Sequence, residues 1–459
     1  MKKHFELVIV GGGPAGITLA KKLGRIYHTA VIRPEPYSMI YCAMPYAVEG
    51  IIEKEKTFKN DSLITESGAE LIRDKAESIN DKENFVTLKS GEKISYEKLV
   101  IVTGAEPFLP PVPGSKLKGV YVFKTQNDLE KLESMKSTLK KIAVIGAGAI
   151  GIEAAQAFNA IGVETTLIDM GKSVLPNMID EDMSMEAVSE LTAKGIKLHL
   201  DRKVVEIKGK EHCESVILDN GFEINLKNDI NCNIDDEPGK SGAVLFVAGV
   251  KPSVELADGT RIKSGRDGII VNEYMETSVK NIYACGDCAS YVSGITGKPS
   301  GGKLATNAVP MAKVLADNLK GVKRPYTGFF NGAATKVGNH YVGSTGLSEK
   351  DAKREGYDVV TAVSEITTKF PIMPGAVKLK TKLVADKKSG RLIGGQIVSK
   401  EPVAARIDVL TMALQNKMTV KDLVEHSYCA QPYQSFYPAE NGMVMASEKL
   451  FENMEKENN

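Results

Sequence analysis

The sequence predicts an α/β fold in which a strand, glycine loop, helix, strand unit occurs twice and an α+β block follows. Three observations predict it. The apolar run Phe5-Glu6-Leu7-Val8-Ile9-Val10 feeds Gly11-Gly12-Gly13-Pro14-Ala15-Gly16, then a helical apolar pattern to about Leu23 and a β-branched strand from Thr29 to Ile32. Lys141-Ile142-Ala143-Val144-Ile145 feeds Gly146-Ala147-Gly148-Ala149-Ile150-Gly151, a helical pattern to about Ile161 and a strand from Glu164 to Ile168. From about Tyr326 the texture changes. Runs from Ala376 to Ala385 and Leu392 to Ser399 flank a Lys388-Ser389-Gly390 turn, and helical patterns follow at Val403 to Leu414 and Val420 to Glu425.

Length and composition bound the answer. A chain of 459 residues holds about three domains at roughly 150 residues each. With 42% hydrophobic and 25% charged residues it is an ordinary globular chain, which excludes disordered and fibrous classes. Basic and acidic residues nearly cancel, 59 against 58 for a net charge of +1, so neither nucleic acid nor an anionic membrane is expected as a partner. No apolar run approaches the ~20 residues that span a bilayer. The start, Met1-Lys2-Lys3-His4-Phe5-Glu6, leads into a strand and not into a secretory apolar region. Six cysteines, at 42, 213, 232, 285, 288 and 429, are too scattered for a disulfide framework. The expected location is therefore the reduced cytoplasm. No histidine cluster has metal-ligand spacing, so no metal is expected.

A lone G-x-G-x-x-G is weak evidence, but here two copies each sit in their strand–loop–helix setting. Gly11 and Gly146 permit the tight turn, Gly13 and Gly148 let the backbone approach a pyrophosphate, and Gly16 and Gly151 pack helix on strand. Pro14, Ala15, Ala149 and Ile150 open the two helices, whose N-termini face the phosphate charge. Two Rossmann-like dinucleotide-binding domains follow, and hydride transfer between two cofactors is their natural use. Asp169 ends the second strand of the second unit, 23 residues after Gly146. A carboxylate there accepts a ribose 2′-OH and repels a 2′-phosphate, which favours NADH. In the first unit the matching position is Arg33; either Glu35 shifts into the role or the ribose is held otherwise.

Cys42 follows the first unit. Opening a helix, it would have its thiolate favoured by the helix N-terminus; the alternative is an inert buried cysteine. Leu99 to Pro107, containing Thr103-Gly104-Ala105, is echoed by Val244 to Pro252, containing Gly249. Asn281-Ile282-Tyr283-Ala284-Cys285-Gly286-Asp287 is a further buried strand ending in a Gly-Asp turn. Asp287 either holds a ribityl or ribose hydroxyl or is a simple turn residue.

In this order the motifs resemble the FAD-dependent pyridine nucleotide-disulfide oxidoreductases over almost the full chain. The resemblance implies an FAD-binding domain built from residues 1–115 and 250–325, an NAD-binding domain at 116–249 and a dimerisation domain at 326–459. It implies that FAD sits at Gly11 to Gly16 and at Gly286-Asp287, and that NADH sits at Gly146 to Gly151 with Glu153 at the nicotinamide. Glu35, Ala76, Thr103, Gly104, Ala105, Gly249, Leu304 and Ala305 are the remaining positions expected to border the cofactors.

The departures narrow the branch. Two-cysteine members carry Cys-x4-Cys, but five residues after Cys42 stands Ala47. Cys42-Ala43-Met44-Pro45-Tyr46, with Val48 and Gly50, is similar to the active-site segment of coenzyme A-disulfide reductases and their persulfide-reducing relatives. The histidine that peroxidases and oxidases of this branch carry in the first glycine loop is replaced by Pro14. The C-terminal His-Pro of two-cysteine members is replaced by Gln431-Pro432, and Tyr433 matches the tyrosine proposed to protonate the leaving thiolate. The implied enzyme is a homodimer in which Cys42 forms a mixed disulfide with a small thiol, expected to be linked to coenzyme A, and Tyr433 of the other subunit supplies the proton. Its substrate is a disulfide, persulfide or polysulfide.

Other readings stay open. Tyr433 is alternatively an interface aromatic. A cysteine sulfenic acid would make the enzyme an NADH oxidase or peroxidase, and an electron-transfer reductase for a redox protein would need no reactive Cys42. A non-catalytic NADH sensor would keep its flavin oxidised. Cys285 and Cys288 form a C-x-x-C that overlaps the Gly-Asp turn and is expected to be structural. Cys429 is expected to be a small buried residue, with a resolving thiol across the dimer as the alternative. His426 is expected to close a helix.

Overall fold

A computed structural model of the chain describes residues 3–227, 242–300 and 303–456. Cys232 lies outside the described residues, as do Met1 and Lys2. The first apolar run forms the strand Lys3–Val10, whose last four residues are all buried. It pairs in parallel with Thr29–Ile32 on one side and Lys93–Ile101 on the other. Burial on both faces is why Leu7 to Val10, Thr29–Ile32 and Leu99 to Ile101 run buried without alternating, whereas the antiparallel start of Lys93–Ile101 alternates. The sheet has seven strands, with Glu70–Ile72 beyond Thr29–Ile32 and the hairpin Ala76–Asn80 with Phe85–Leu88 beyond Lys93–Ile101.

Lys93–Ile101 serves two pairings. Its first residues close the hairpin with Phe85–Leu88, and Leu99 to Ile101 pair in parallel with Ile282–Ala284. A strand that begins 181 residues after Ile101, at Ile282, thus completes the first sheet, because the chain has left to build a second domain in between. Helix Pro14–Leu23 packs against helix Ala305–Leu319, which returns with that strand.

The second sheet is parallel throughout, in the order Val120–Val122, Ala243–Phe246, Lys141–Ile145, Glu164–Ile168, Lys197–His199. The echoed segments meet each other: Ala105–Pro107 and Val250–Pro252 pair antiparallel across the two domains. The C-terminal block is a five-stranded antiparallel sheet in which Lys378–Asp386 and Leu392–Ser399 form the expected hairpin. Helices Ala404–Gln415 and Gly442–Lys456 pack on it. His426 is not the helix cap: Glu425 caps Val420–Val424, and only the His426 amide reaches back, to Leu423 O.

Met39, Met44, Ala47 and Val48 join one buried cluster with Phe123, Ile152 and Phe158 of the second domain and Val337, Val342 and Val398 of the C-terminal sheet. The Cys42 segment is therefore wedged where all three parts of the chain meet. Among the described residues no helix is long and apolar enough to cross a membrane.

Candidate active site

Both glycine loops have the shape a pyrophosphate needs. Gly11, at φ +122°, lies so close to the neighbouring strand that a Cβ would stand 2.2 Å from Val102 O; at Gly16 it would stand 2.1 Å from Gly11 O. In the second loop a Cβ at Gly146 would meet Val247 O at 2.6 Å and one at Gly151 would meet Gly146 O at 1.8 Å. At Gly13 and Gly148, by contrast, nothing stands within 4 Å. The first and third glycines are thus fixed by protein packing, and the second opens onto free space at a helix N-terminus. That is the arrangement that lets backbone amides close on a phosphate. Pro14 opens the first helix, where its missing N–H costs nothing.

The Gly286–Cys288 turn sits against the first loop, because a Cβ at Gly286 would touch those of Ala15 and Ala308 at 3.4 Å. Burial pushes the Asp287 carboxyl up, and the ammonium groups of Lys124 and Lys303 oppose that shift. Lys303 Nζ is held by the carbonyls of Asp267 and Ala289 at 2.8 and 3.1 Å and lies over the Tyr291 ring. Lys124 Nζ lies 5.6 Å from the ring centroid of Tyr41, the residue before Cys42. A half-buried carboxylate flanked by two ammonium groups suits a hydroxyl-rich ligand at the junction of the domains.

Cys42 lies in the single turn Tyr41–Ala43, one step ahead of helix Met44–Glu49. The sequence predicts that Cys42 opens that helix; instead Ala43 is the N-cap, because Pro45 fits the first turn and sets where the helix starts. Gly50, at φ +85°, ends the helix in the left-handed conformation only glycine adopts freely. Cys42 is exposed, whereas Ala47, the position of a second cysteine in two-cysteine relatives, is buried. Helix Met44–Glu49 packs against helix Ala149–Ala160. This brings Tyr46 near Glu153, and burial together with the charges of Glu153, Cys42 and Glu49 pushes the Tyr46 hydroxyl up. Burial likewise pushes the Glu153 carboxyl up, opposed by Thr335, whose hydroxyl donates to Glu153 Oε1 at 2.7 Å. No cation pairs with Glu153 among the described residues.

At the ends of the second strands the two units differ. Asp169 accepts the amides of Ala147 and Gly171, each at 2.6 Å. Arg33 instead is buried, with its guanidinium on Ser38 and Asp61. Glu35 is exposed, and its backbone carbonyl accepts Arg73.

The remaining positions fall around this centre. Thr103 Oγ1 donates to Ser253 O at 2.7 Å, fastening the domain crossing beside Gly104 (φ +78°) and Gly249 (φ +103°). Leu304 caps helix Ala305–Leu319 and Ala305 is its exposed first residue, while Ala76 is buried at a strand start. Cys285 and Cys288 are fully buried free thiols pushed up by burial. Cys429 departs from expectation: it is exposed, in a stretch from Ser427 to Gln434 that lies wholly on the surface of the single chain. Tyr433 shares that stretch at 57% exposure and makes no described side-chain contact with the Cys42 site of its own chain. Thr335, Lys124 and Lys303 escaped sequence reading, because no spacing links them to the motifs they serve; Tyr46 was legible only as the last residue of the Cys42 segment. Among the described residues no cluster of His, Cys, Asp or Glu suits a metal.

Comparison with known proteins agrees with this arrangement. A family described as pyridine nucleotide-disulphide oxidoreductase matches residues 5–312, and the dimerisation domain of that family matches residues 333–439. An NADH oxidase of Methanocaldococcus jannaschii is 32% identical over 93% of this chain and 95% of its own length. An NAD(P)H coenzyme A polysulfide/persulfide reductase of Pyrococcus horikoshii is 33% identical over 92% of this chain and 93% of its own. A solved NAD-dependent persulfide reductase from A. fulgidus superposes with a TM-score of 0.90 at 28% identity, covering 98% of this chain and 83% of that one. With two thirds of its length inside one family and most of the rest inside that family's dimerisation domain, the chain belongs to the pyridine nucleotide-disulphide oxidoreductases, flavoprotein enzymes working with FAD and NADH.

Proposed function

We propose that this enzyme uses NADH to reduce a small disulfide, persulfide or polysulfide, with coenzyme A disulfide or coenzyme A persulfide as the preferred class. The observation that carries the reading is Cys42: an exposed cysteine near Tyr46, which also neighbours Glu153, with buried Ala47 where a second redox cysteine would stand. Relatives named as coenzyme A-dependent sulfur oxidoreductase and coenzyme A polysulfide/persulfide reductase support the substrate class.

Bound in the two cradles, NADH and FAD supply a two-electron route from nicotinamide to the sulfur of Cys42. The loop Gly11 to Gly16, Asp287, Thr103 to Ala105, Ala76, Leu304 and Ala305 hold the flavin. The loop Gly146 to Gly151, Asp169 and Gly249 hold NADH, with Glu153 at its nicotinamide. The Cys42 thiolate attacks R–S–S–R, forming Cys42–S–S–R and releasing RS⁻; a persulfide R–S–SH releases HS⁻ instead. Cleavage of the mixed disulfide by two electrons restores the Cys42 thiolate, and the partner subunit's Tyr433 protonates the thiolate that leaves. A lone nucleophilic cysteine is what splits the reaction in this way. The working unit is a homodimer in the cytoplasm. Its FAD domain spans 1–115 and 250–325, its NAD domain 116–249 and its dimerisation domain 326–459.

The test is Cys42→Ser. It abolishes NADH-dependent reduction of coenzyme A disulfide and persulfide while bound flavin is still bleached by NADH; full retention of disulfide and persulfide turnover refutes the reading. A second reading, NADH oxidase, has its own support in relatives of that name. It predicts that oxygen consumption at saturating NADH exceeds turnover with the sulfur substrates. Pro14 weighs against it, since the first glycine loop then offers no proton donor.

A further inference from the structure

The two glycine-loop units fill one equivalent position with opposite charges. In the second unit Asp169 closes on the Ala147 and Gly171 amides. In the first unit the place belongs to Arg33, whose side chain is only 2% exposed. Its stem lies across Gly12, where a Cβ would come within 2.2 Å of Arg33 Cδ. Its terminal nitrogens donate to Ser38 Oγ and to Asp61 Oδ1, and Ser38 Oγ in turn donates to Gly12 O. Asp61 Oδ2 accepts Arg73, which also donates to the Glu35 carbonyl. Arg33 Nε is buried with no hydrogen-bond partner.

We propose that Arg33 and Asp61 together recognise the adenosine ribose of FAD, with Asp61 as the acceptor that the strand end lacks and Arg33 Nε as a donor. Three features carry this. The cluster sits at the carboxyl ends of three adjacent parallel strands, Lys3–Val10, Thr29–Ile32 and Glu70–Ile72, where open α/β sheets bind ligands. An unpaired guanidinium N–H in a buried site is costly, and a ribose oxygen satisfies it. Each Asp61 oxygen holds one arginine and keeps a second lone pair, and the side chain is 32% exposed, so it faces outward. Two arginines hold that carboxylate in place and aim it. Gly12 is glycine for the same reason, since any side chain there collides with Arg33. Glu35, the other carboxylate near the strand end, accepts Arg73 at its backbone carbonyl and acts on Arg33 and Tyr41 only through its charge, with no side-chain hydrogen bond to the cluster among the described residues.

The test uses intact holoenzyme equilibrated with an equimolar excess of FAD and its 2′-deoxyadenosine analogue, then desalted, with the bound flavins weighed. The wild type retains FAD over the analogue by about tenfold, the discrimination expected when one charged hydrogen bond is lost. Asp61→Asn brings the two within about twofold, because a neutral acceptor grips the hydroxyl less, while Glu35→Gln keeps the wild-type ratio. Arg33→Lys keeps the charge but drops the Nε donor, and it releases FAD several times faster on dilution, read as returning flavin fluorescence. No discrimination in the wild type, an unchanged ratio in Asp61→Asn, a collapsed ratio in Glu35→Gln or unchanged FAD release from Arg33→Lys overturns the proposal.

Discussion

A methyl group at Gly12 has nowhere to go, because the buried Arg33 stem already fills the space. Gly12→Ala is therefore expected to cost about 1–3 kcal/mol of stability, as overpacking does, read as a lower denaturant midpoint accompanied by flavin loss. Gly148→Ala is the contrast. Its backbone is extended and nothing stands within 4 Å, so stability changes little. Instead the added methyl occupies the pyrophosphate approach, and the KM for NADH rises with the melting temperature unchanged. Glu153 makes a pH prediction. Burial holds its folded pKa above the unfolded value of about 4.3. The protonated form is thus favoured by folding, and its contribution is complete below the unfolded pKa and lost as pH rises through the folded one. Glu153→Gln removes that dependence. The variant's melting temperature gains on the wild type between pH 4 and pH 8, and an equal difference at all pH values contradicts the assignment.

The elements differ in how far they were legible. The strands Thr29–Ile32 and Glu164–Ile168 were found to the residue, since each is a β-branched run between a helix and a polar break. The C-terminal hairpin was found within two residues at its start. The echo between the segments ending in Pro107 and Pro252 was visible, but nothing local says that they pair with each other. The same limit hid the supports of the site: Asp61 and Arg73 reach Arg33 through tertiary packing, and Thr335 reaches Glu153 from another domain. Lys382, only 3% exposed, belongs to this class. It joins Asp180 at the start of helix Glu181–Ala193 to Asp182 and Glu349. Burial pulls its ammonium down, and the three carboxylates more than offset this, leaving it raised. Lys382→Met strands those carboxylates at the seam between the second and third parts. The expected loss is about 3 kcal/mol, the low end for a broken buried pair because Asp182 is half exposed. A denaturant titration that shows the variant within about 0.5 kcal/mol of wild type would mean the seam does not rely on it.

At the scale of the whole molecule, the chain carries an exposed cysteine, Cys42, in one place and an exposed tyrosine in another. Tyr433, with Tyr428 and Tyr437, is exposed on the third part, on a stretch that rests on Phe370 through Pro432 O and Tyr437. On the proposed mechanism, a homodimer brings this stretch to the facing Cys42. Tyr433→Phe then lowers turnover with coenzyme A disulfide by about a hundredfold, the usual worth of a positioned proton donor, with the sedimentation coefficient unchanged; a variant that dissociates into monomers would assign Tyr433 to the interface instead. The central claim, that Cys42 joins covalently to half of its substrate, has a direct measurement. Purified enzyme is mixed with coenzyme A disulfide in the absence of reductant, and intact mass and peptide mapping follow. The account predicts one coenzyme A adduct per chain, on the peptide carrying Cys42, removed when NADH is added. A Cys42 that remains a bare thiol, or an adduct that NADH leaves in place, would contradict it.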